Sequence, residues 1–372
     1  MKKISILHIV LSTVTGGMEN VIYNLASGRD HSRYDISVGC LNEMGHLSEK
    51  LKSDGVESFL IPKMIPGISM FYPRQLIKFI KKSGCDIVHT HSGCWAKVAA
   101  ACAQISSVKL IYTEHGRTFP DPKFMIWQDR LAIRSTDMVV TVGDTLKEYM
   151  VDTVGLPAEK VMTIFNGIDT DRFKPSEDIR KSVRNEFGYS DENVVISIVA
   201  RLAPVKNHRF LIDAFSEVVR KHPEARLLII GDGPLRPDLE SQASSLNLND
   251  KINFAGDRID VPRLLTGADI STLSSVSEGI SLTLLEAMST ALPVVATDVG
   301  GNSTIIKNNV LGYLIPSDAD KIDTYVSRFS ELIISPELRQ RLGNSARERV
   351  LEQWSLKGMV NDYEKLYEEL VG

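Results

Sequence analysis

The residues best suited to chemistry gather in the second half of the chain. The run Ser277-Glu278-Gly279-Ile280-Ser281-Leu282-Thr283-Leu284-Leu285-Glu286-Ala287 joins two carboxylates to a glycine turn and the start of an apolar-patterned helix. Glycine lets backbone pass close to a ligand, and the first N–H groups of a helix beginning near Ser281 or Leu282 are free to face a phosphate. Glu278 precedes that helix and Glu286 lies about one turn inside it, so the two acids address different hydroxyl groups rather than forming a close dyad. Upstream, Arg201-Leu202-Ala203-Pro204-Val205-Lys206-Asn207 leaves the apolar run Val194 to Ala200. A planar guanidinium and a mobile ammonium at one strand end suit a diphosphate. Together these features fit a sugar nucleotide. Taken singly, each has a plainer account as solvated charge or as an amphipathic helix with incidental acids.

The first half offers weaker signals. Gly16-Gly17 precedes a helical pattern, where backbone N–H groups can approach an anion or sugar; a tight turn required by packing explains the pair equally well. His89 and His91 end an apolar run beginning at Asp86, and His115 follows the next one in Thr113-Glu114-His115-Gly116-Arg117. An active-site His115 with His89 and His91 as supporting polar groups is preferred over zinc, because no cysteine or close carboxylate pair completes a ligand set. Ordinary strand-end histidines remain the plain alternative. Gly231-Asp232-Gly233-Pro234 imitates part of a dinucleotide fingerprint, but Pro234 and the missing third glycine spoil it. Asp169-Thr170-Asp171 and Asp318-Ala319-Asp320 imitate metal-binding acids, and turn chemistry suffices for both.

Such residues must be held by a scaffold, and its pattern is legible. Short apolar runs alternate with helical spacing from end to end, which predicts parallel sheets with helices on both faces. In the first half, strands are expected over Ile4 to Leu11, Tyr34 to Cys40, Glu57 to Ile61, Asp86 to His89, Lys109 to Thr113 and Met138 to Thr141. Asn166-Gly167-Ile168-Asp169 through Phe173-Lys174-Pro175-Ser176 breaks the pattern. It then restarts with Val194 to Val199, Arg226 to Ile230, Ile252 to Ala255, Ile270 to Leu273, Pro293 to Ala296 and Gly312 to Ile315. The expected division is a first domain over 1–168, a second over 169–354 and a terminal helix over 355–372. Ligands of open sheets sit beyond the carboxyl ends of the strands, where these candidates fall.

Composition excludes several classes. The 372 residues suffice for two cores, and 43% hydrophobic with 24% charged residues describes an ordinary globular protein. A net charge of −4 without a basic tract gives no field for nucleic acid. The four cysteines, Cys40, Cys85, Cys94 and Cys102, form no paired framework and read as buried thiols. Met1-Lys2-Lys3 followed by Ile4 to Leu11 imitates a signal peptide, but the run is short and leads into a strand-to-helix turn, so a buried strand and a cytoplasmic chain are expected. Pro73 to Lys82 reads as a basic amphipathic helix. Core packing with solvated lysines is the favoured account, with peripheral contact at the inner membrane surface left open.

Collected in order, Gly16-Gly17, His115, Asn166-Gly167-Ile168-Asp169, Arg201, Lys206, Gly231-Asp232-Gly233-Pro234, Glu278 and Glu286 resemble the markers of family 4 retaining glycosyltransferases of the GT-B fold over nearly the whole chain. The resemblance implies α/β architecture with two doubly wound, Rossmann-like domains facing a cleft, the first binding the acceptor and the second the sugar nucleotide. It implies Arg201 and Lys206 on the donor diphosphate, Glu286 on the ribose, and Glu278 on the transferred sugar. Gly279, Ile280, Ser281, Leu282 and Thr283 would line the phosphate turn, with Gly233 beside it and Arg258 and Ile259 at the base. His115 would touch the sugar near the reacting carbon, and Gly16 with Gly17 would meet the phosphate. The terminal helix would cross back onto the first domain. No metal and no cofactor are implied. The donor would be a nucleoside-diphosphate sugar, with uridine favoured, and the acceptor a saccharide or lipid-linked saccharide of a surface polysaccharide. Ile280-Ser281 departs from the Gly, Pro or Asn of many relatives, which leaves the sugar open. A sugar-nucleotide epimerase and a non-catalytic binding module are the rival readings.

Overall fold

The computed structural model describes residues 3–14, 17–61, 73–117, 121–278, 280–307, 309–316 and 321–372. It divides into two compact units, Met1–Gly167 with Leu356–Gly372, and Ile168–Ser355. Each is built on its own parallel sheet.

In the first unit the strands are β1 (Ile4–Ser12), β2 (Tyr34–Glu43), β3 (Glu57–Leu60), β4 (Ile87–His91), β5 (Lys109–Glu114), β6 (Met138–Thr141) and β7 (Val161–Thr163). Their order is β3-β2-β1-β4-β5-β6-β7, with Ile6 opposite both Ile36 and Ile87 in the central register. Runs rich in Ile and Val form these strands because both sheet faces are covered, so no polar alternation is needed. One face packs Leu7, Ile9, Val88 and Leu110 against Trp95 and Val98. The other packs Ile6, Val10, Ile36 and Ile87 beneath Met359, Tyr363 and Tyr367 of the helix Leu356–Val371. The chain's last helix is therefore part of the first unit. Strand β7 was not foreseen in the sequence: it has only three residues.

The second unit contains β8 (Val194–Val199), β9 (Ala225–Ile230), β10 (Ile252–Gly256), β11 (Ile270–Leu273), β12 (Val294–Thr297) and β13 (Gly312–Ile315). Their order is β10-β9-β8-β11-β12-β13, again all parallel. The two ends of this unit meet where the Ile168 N–H donates to the Trp354 carbonyl at 2.9 Å. In each sheet the winding reverses once, between β1 and β4 and between β8 and β11. A crevice opens at such a reversal because neighbouring connections leave to opposite sides.

Among the described residues, no helix is long and apolar enough to cross a membrane. All four cysteines are buried free thiols. The helix Arg74–Ser83 turns Leu76 and Ile80 into the core while its lysines face solvent, so its apolar side is already covered.

Candidate functional site

The reversal between β8 and β11 gathers the charged candidates of the second unit. After β8, a single turn Pro204–Lys206 ends at Asn207, whose φ of 53° bends the chain into the helix His208–Lys221. After β11, the Ser274 hydroxyl donates to the Lys206 carbonyl at 2.8 Å, and the Val276 N–H donates to the Val205 carbonyl at 2.9 Å. These bonds clamp the two loops together. Across them, Lys206 Nζ lies 2.6 Å from Glu278 Oε1, with the two side chains 24% and 10% exposed. The Ser275 hydroxyl donates to the same carboxylate oxygen. A third loop underlies the acid: Gly300 has φ +54°, and a Cβ there would stand 1.7 Å from the Glu278 carbonyl oxygen. Lys206 and Glu278 thus hold one another, and an anionic ligand would compete with the acid for the ammonium.

Beside this pair, a cavity of about 470 Å3 opens at the ends of β8, β9 and β10. Its wall includes Ile230 and Val261, and its polar groups include Arg201, Arg258, Asp257 and Thr283. The volume and mixed lining suit a nucleoside-sized ligand. The Arg201 side chain is exposed and makes no hydrogen bond or ion pair among the described residues. Arg258 is engaged by Asp260 at 2.7 Å and Glu186 at 3.1 Å. Ile259 is 95% exposed and does not line the cavity. Gly233 lets its loop close on β8's exit, since a Cβ would come 2.5 Å from the Leu202 carbonyl oxygen.

The helix Leu282–Ser289 starts after Ser281, which is extended, and buries Leu284, Leu285 and Met288 at helical spacing. Thr283 on its first turn faces the cavity, and the Ser281 and Thr283 hydroxyls lie 3.2 Å apart. Ile280 and Leu282 are partly buried beside them. Glu286 is partly buried on the same helix, and its carboxylate has no hydrogen-bond partner among the described residues. Burial pushes its carboxyl up to about 7, against a weaker opposing pull from Arg172. A carboxyl kept unpaired at such a cost is a mark of function.

The first unit has a different chemistry at its reversal. His8 sits mid-strand in β1, His89 and His91 in β4, and all three are fully buried. His8 Nδ1 lies 3.0 Å from His91 Nε2, and His91 Nδ1 lies 2.9 Å from His115 Nε2. His89 bonds the Tyr367 hydroxyl at 2.9 Å and the Thr113 hydroxyl at 2.7 Å. Ring nitrogens of His8, His89 and His91 lie within 4.8 Å of one another, close enough to surround a cation. Both nitrogens of His89 and of His91 are already hydrogen-bonded, however, so a cation would have to displace those bonds. Burial pulls His8 down to about 3 and His115 to about 4, and holds His89 and His91 well below the ordinary histidine value.

Adjacent to His115, Arg117 contacts Glu114 at 2.7 Å, Asp121 at 2.7 Å and Asp129 at 2.8 Å, all nearly buried. The Ser92 hydroxyl donates to Glu114 at 2.6 Å and accepts the His115 N–H at 2.9 Å, which pins the His115 backbone. A cavity of about 580 Å3 opens onto Glu114, Arg117, Asp121 and Gln128. Gly17 begins the helix Gly17–Gly28 after β1; Gly16 and Gly279 lie outside the described residues, as does Asp318-Ala319-Asp320. Asp169 accepts the N–H groups of Asp171 at 3.1 Å and Arg172 at 2.9 Å, a turn function.

Sequence reasoning missed His8, Thr113, Asp257, Ser275, Tyr363 and Tyr367. The lone histidine within the apolar run Ile4 to Leu11 was the available signal for His8. The tyrosines gave none, since they match a helical apolar stripe.

Residues 179–349 match the family described as Glycosyl transferases group 1, and residues 15–172 match Glycosyltransferase Family 4. The chain belongs to this glycosyltransferase family. Its relatives include the UDP-Gal:alpha-D-GlcNAc-diphosphoundecaprenol alpha-1,3-galactosyltransferase of Escherichia coli, 27% identical over 99% of this chain and 98% of that one. N-acetyl-alpha-D-glucosaminyl L-malate synthase of Bacillus anthracis is 27% identical over 82% of this chain and 80% of that one. Similar solved structures include a glycosyltransferase from Rickettsia africae ESF-5, with TM-score 0.87, 21% identity and coverage of 100% and 99%. Anabaena Alr3699/HepE in complex with UDP gives TM-score 0.82 and 21% identity, with coverage of 99% and 100%. The fold is GT-B.

Proposed function

We propose that this glycosyltransferase moves a hexosyl or N-acetylhexosaminyl group from a uridine-diphosphate sugar to a lipid-linked saccharide, with retention. The observation that carries the reading is the Lys206–Glu278 pair at the β8/β11 reversal, in one unit with Arg201 and Glu286, whose side-chain polar groups have no hydrogen-bond partner among the described residues. A diphosphate would take Lys206 and Arg201, releasing Glu278 to the sugar hydroxyls and leaving Glu286 for the ribose. Arg201, Lys206 and the first N–H groups of the helix Leu282–Ser289 then stabilise charge as it develops on the leaving diphosphate. The bond from the anomeric carbon to the phosphate oxygen breaks, and a new one forms to the acceptor oxygen on the same face. The acceptor proton passes to the departing phosphate oxygen, so no protein base is required. The sugar nucleotide is a substrate in this scheme, and no resident cofactor or metal takes part.

The donor and acceptor classes follow the name of the full-length Escherichia coli relative. The helix Lys123–Ala132 adds an observation of this chain's own: Phe124 and Trp127 are 62% and 57% exposed, with Met125 and Leu131 also exposed. Exposed Lys123, Arg130 and Arg134 flank that apolar stripe, a combination suited to an anionic lipid surface at the inner face of the membrane.

Thermal stabilisation across a panel of nucleotides and sugar nucleotides tests the donor, since a bound ligand raises the melting temperature. Anomeric NMR of the product then reads the stereochemistry. Lys206→Ala is expected to lower turnover about a hundredfold to a thousandfold. Unchanged nucleotide affinity in both Lys206→Ala and Arg201→Ala would refute the site, and donor consumption without acceptor would replace transfer by epimerisation or hydrolysis.

A further inference from the structure

The histidines of the first unit form a line whose protons are coupled. Both short contacts, His8 Nδ1 to His91 Nε2 and His91 Nδ1 to His115 Nε2, need one hydrogen each. A neutral imidazole carries a single N–H, so His91 donates at one contact and accepts at the other. Two arrangements satisfy this. If the His91 hydrogen is on Nε2, all three rings carry theirs on Nε2. If it is on Nδ1, all three carry theirs on Nδ1. The rings therefore share one tautomer, and the state of the outermost nitrogen is dictated by the innermost.

The two ends differ. His8 Nε2 and His115 Nδ1 are both buried and without a hydrogen-bond partner among the described residues. His8 lies in the sheet interior at 0% exposure, facing the apolar layer beneath the terminal helix, where no ligand enters. His115 lies beyond β5, at the strand ends where ligands of such sheets sit. A permanently orphaned buried N–H is rarer than an under-satisfied acceptor. The permanent orphan at His8 is thus the bare nitrogen, which places hydrogen on Nδ1 in all three rings.

We propose that His8 and His91 are positioning residues that lock His115 in the tautomer with hydrogen on Nδ1, so that His115 meets its ligand as a hydrogen-bond donor to an oxygen atom. The tautomer stands apart from the function proposed above, and the ligand is defined by its chemistry alone, a group that presents an acceptor oxygen. Burial keeps the line neutral, and a proton received at His115 would have to reside in that dry interior. His115 therefore orients and polarises an oxygen and does not serve as a base.

The test is selective 15N-histidine labelling of the full chain without ligand. Two-bond and three-bond proton–nitrogen correlations distinguish the tautomers, and single substitutions assign the signals. His8, His91 and His115 are expected to share the Nδ1–H form. Hydrogen on Nε2 of His115, or unlike tautomers at His91 and His115, overturns the proposal. His8→Asn keeps an N–H donor near the place of Nδ1, whereas His8→Leu removes it. His8→Leu is expected to mix the His115 tautomers and lower kcat/KM about tenfold, the effect of one lost hydrogen bond, and His8→Asn to restore both. A folded His8→Leu protein with unchanged tautomer and unchanged kcat/KM also overturns it, and should that variant fail to fold, the wild-type spectrum alone decides. Nucleotide affinity, which depends on Arg201 and Lys206, separates failure of this proposal from failure of the donor site.

Discussion

Replacing Glu286 by glutamine should stabilise the protein above about pH 4.5, and by more as the pH rises to about 7. Burial raises the Glu286 carboxyl from its ordinary 4.5 to about 7, which corresponds to about 3 kcal/mol in favour of the neutral form. Below pH 4.5 the group is protonated in folded and unfolded chains alike and adds no pH dependence. Between 4.5 and 7 the unfolded chain has released the proton and the folded chain retains it, so stability falls as pH rises. Above 7 both are ionised and the full loss has been incurred. Urea unfolding of wild type and Glu286→Gln at pH 4.5, 6 and 8 isolates the effect, because the other titrating groups cancel in the difference. The glutamine variant should gain about 3 kcal/mol relative to wild type between pH 4.5 and pH 8. A ribose hydroxyl donating to Glu286 favours the ionised form, so nucleotide binding to wild type should strengthen up to about pH 7 and release a proton there. Calorimetry in buffers of different ionisation enthalpy reads that proton, and the variant should lack it. A stability difference independent of pH would refute the argument, since it would mean that Glu286 is not held neutral by its surroundings.

Two further outcomes are expected. Gly300→Ala adds a Cβ 1.7 Å from the Glu278 carbonyl oxygen at a backbone with φ +54°, so it should displace Glu278 and raise the donor KM about tenfold or more; Gly55→Ala, at φ +72° with nothing within 4 Å, serves as the control and should cost only about 1 kcal/mol of stability. Phe124→Ser with Trp127→Ser should abolish flotation with vesicles containing anionic phospholipid while turnover on a water-soluble acceptor is kept, and retained flotation would remove the proposed lipid contact.

Much of this architecture could be read from the sequence because buried parallel strands leave apolar runs that few other arrangements produce. Ile4 to Leu11 and Val194 to Val199 were plain for that reason. Val161–Thr163 was not, because three residues at a sheet edge leave no periodic trace. Charged site residues were legible where they followed a strand, as Arg201, Lys206 and Glu278 do. Ile259 entered through the family resemblance alone, and its side chain is turned to solvent. What could not be read were partners brought together across long stretches of sequence. The bond from His89 to Tyr367 joins residues 278 apart, and local pattern carries no information about such a pair. The Lys206–Glu278 contact was hidden likewise, although both residues were named separately.

The helix Leu356–Val371 has a consequence for how the protein is made. It covers the face of the first sheet that holds Ile6, Tyr34 and His89, and its tyrosines hydrogen-bond Thr113 and His89. A ribosome delivers that sheet early but the helix only after the whole second unit, an interval of roughly 10 to 40 s at ordinary elongation rates. Throughout it the nascent sheet presents a wet apolar face, and its histidines are open to water. The second unit, with no such debt, is free to fold first. Maturation of the earlier-synthesised half thus waits on the arrival of the final helix.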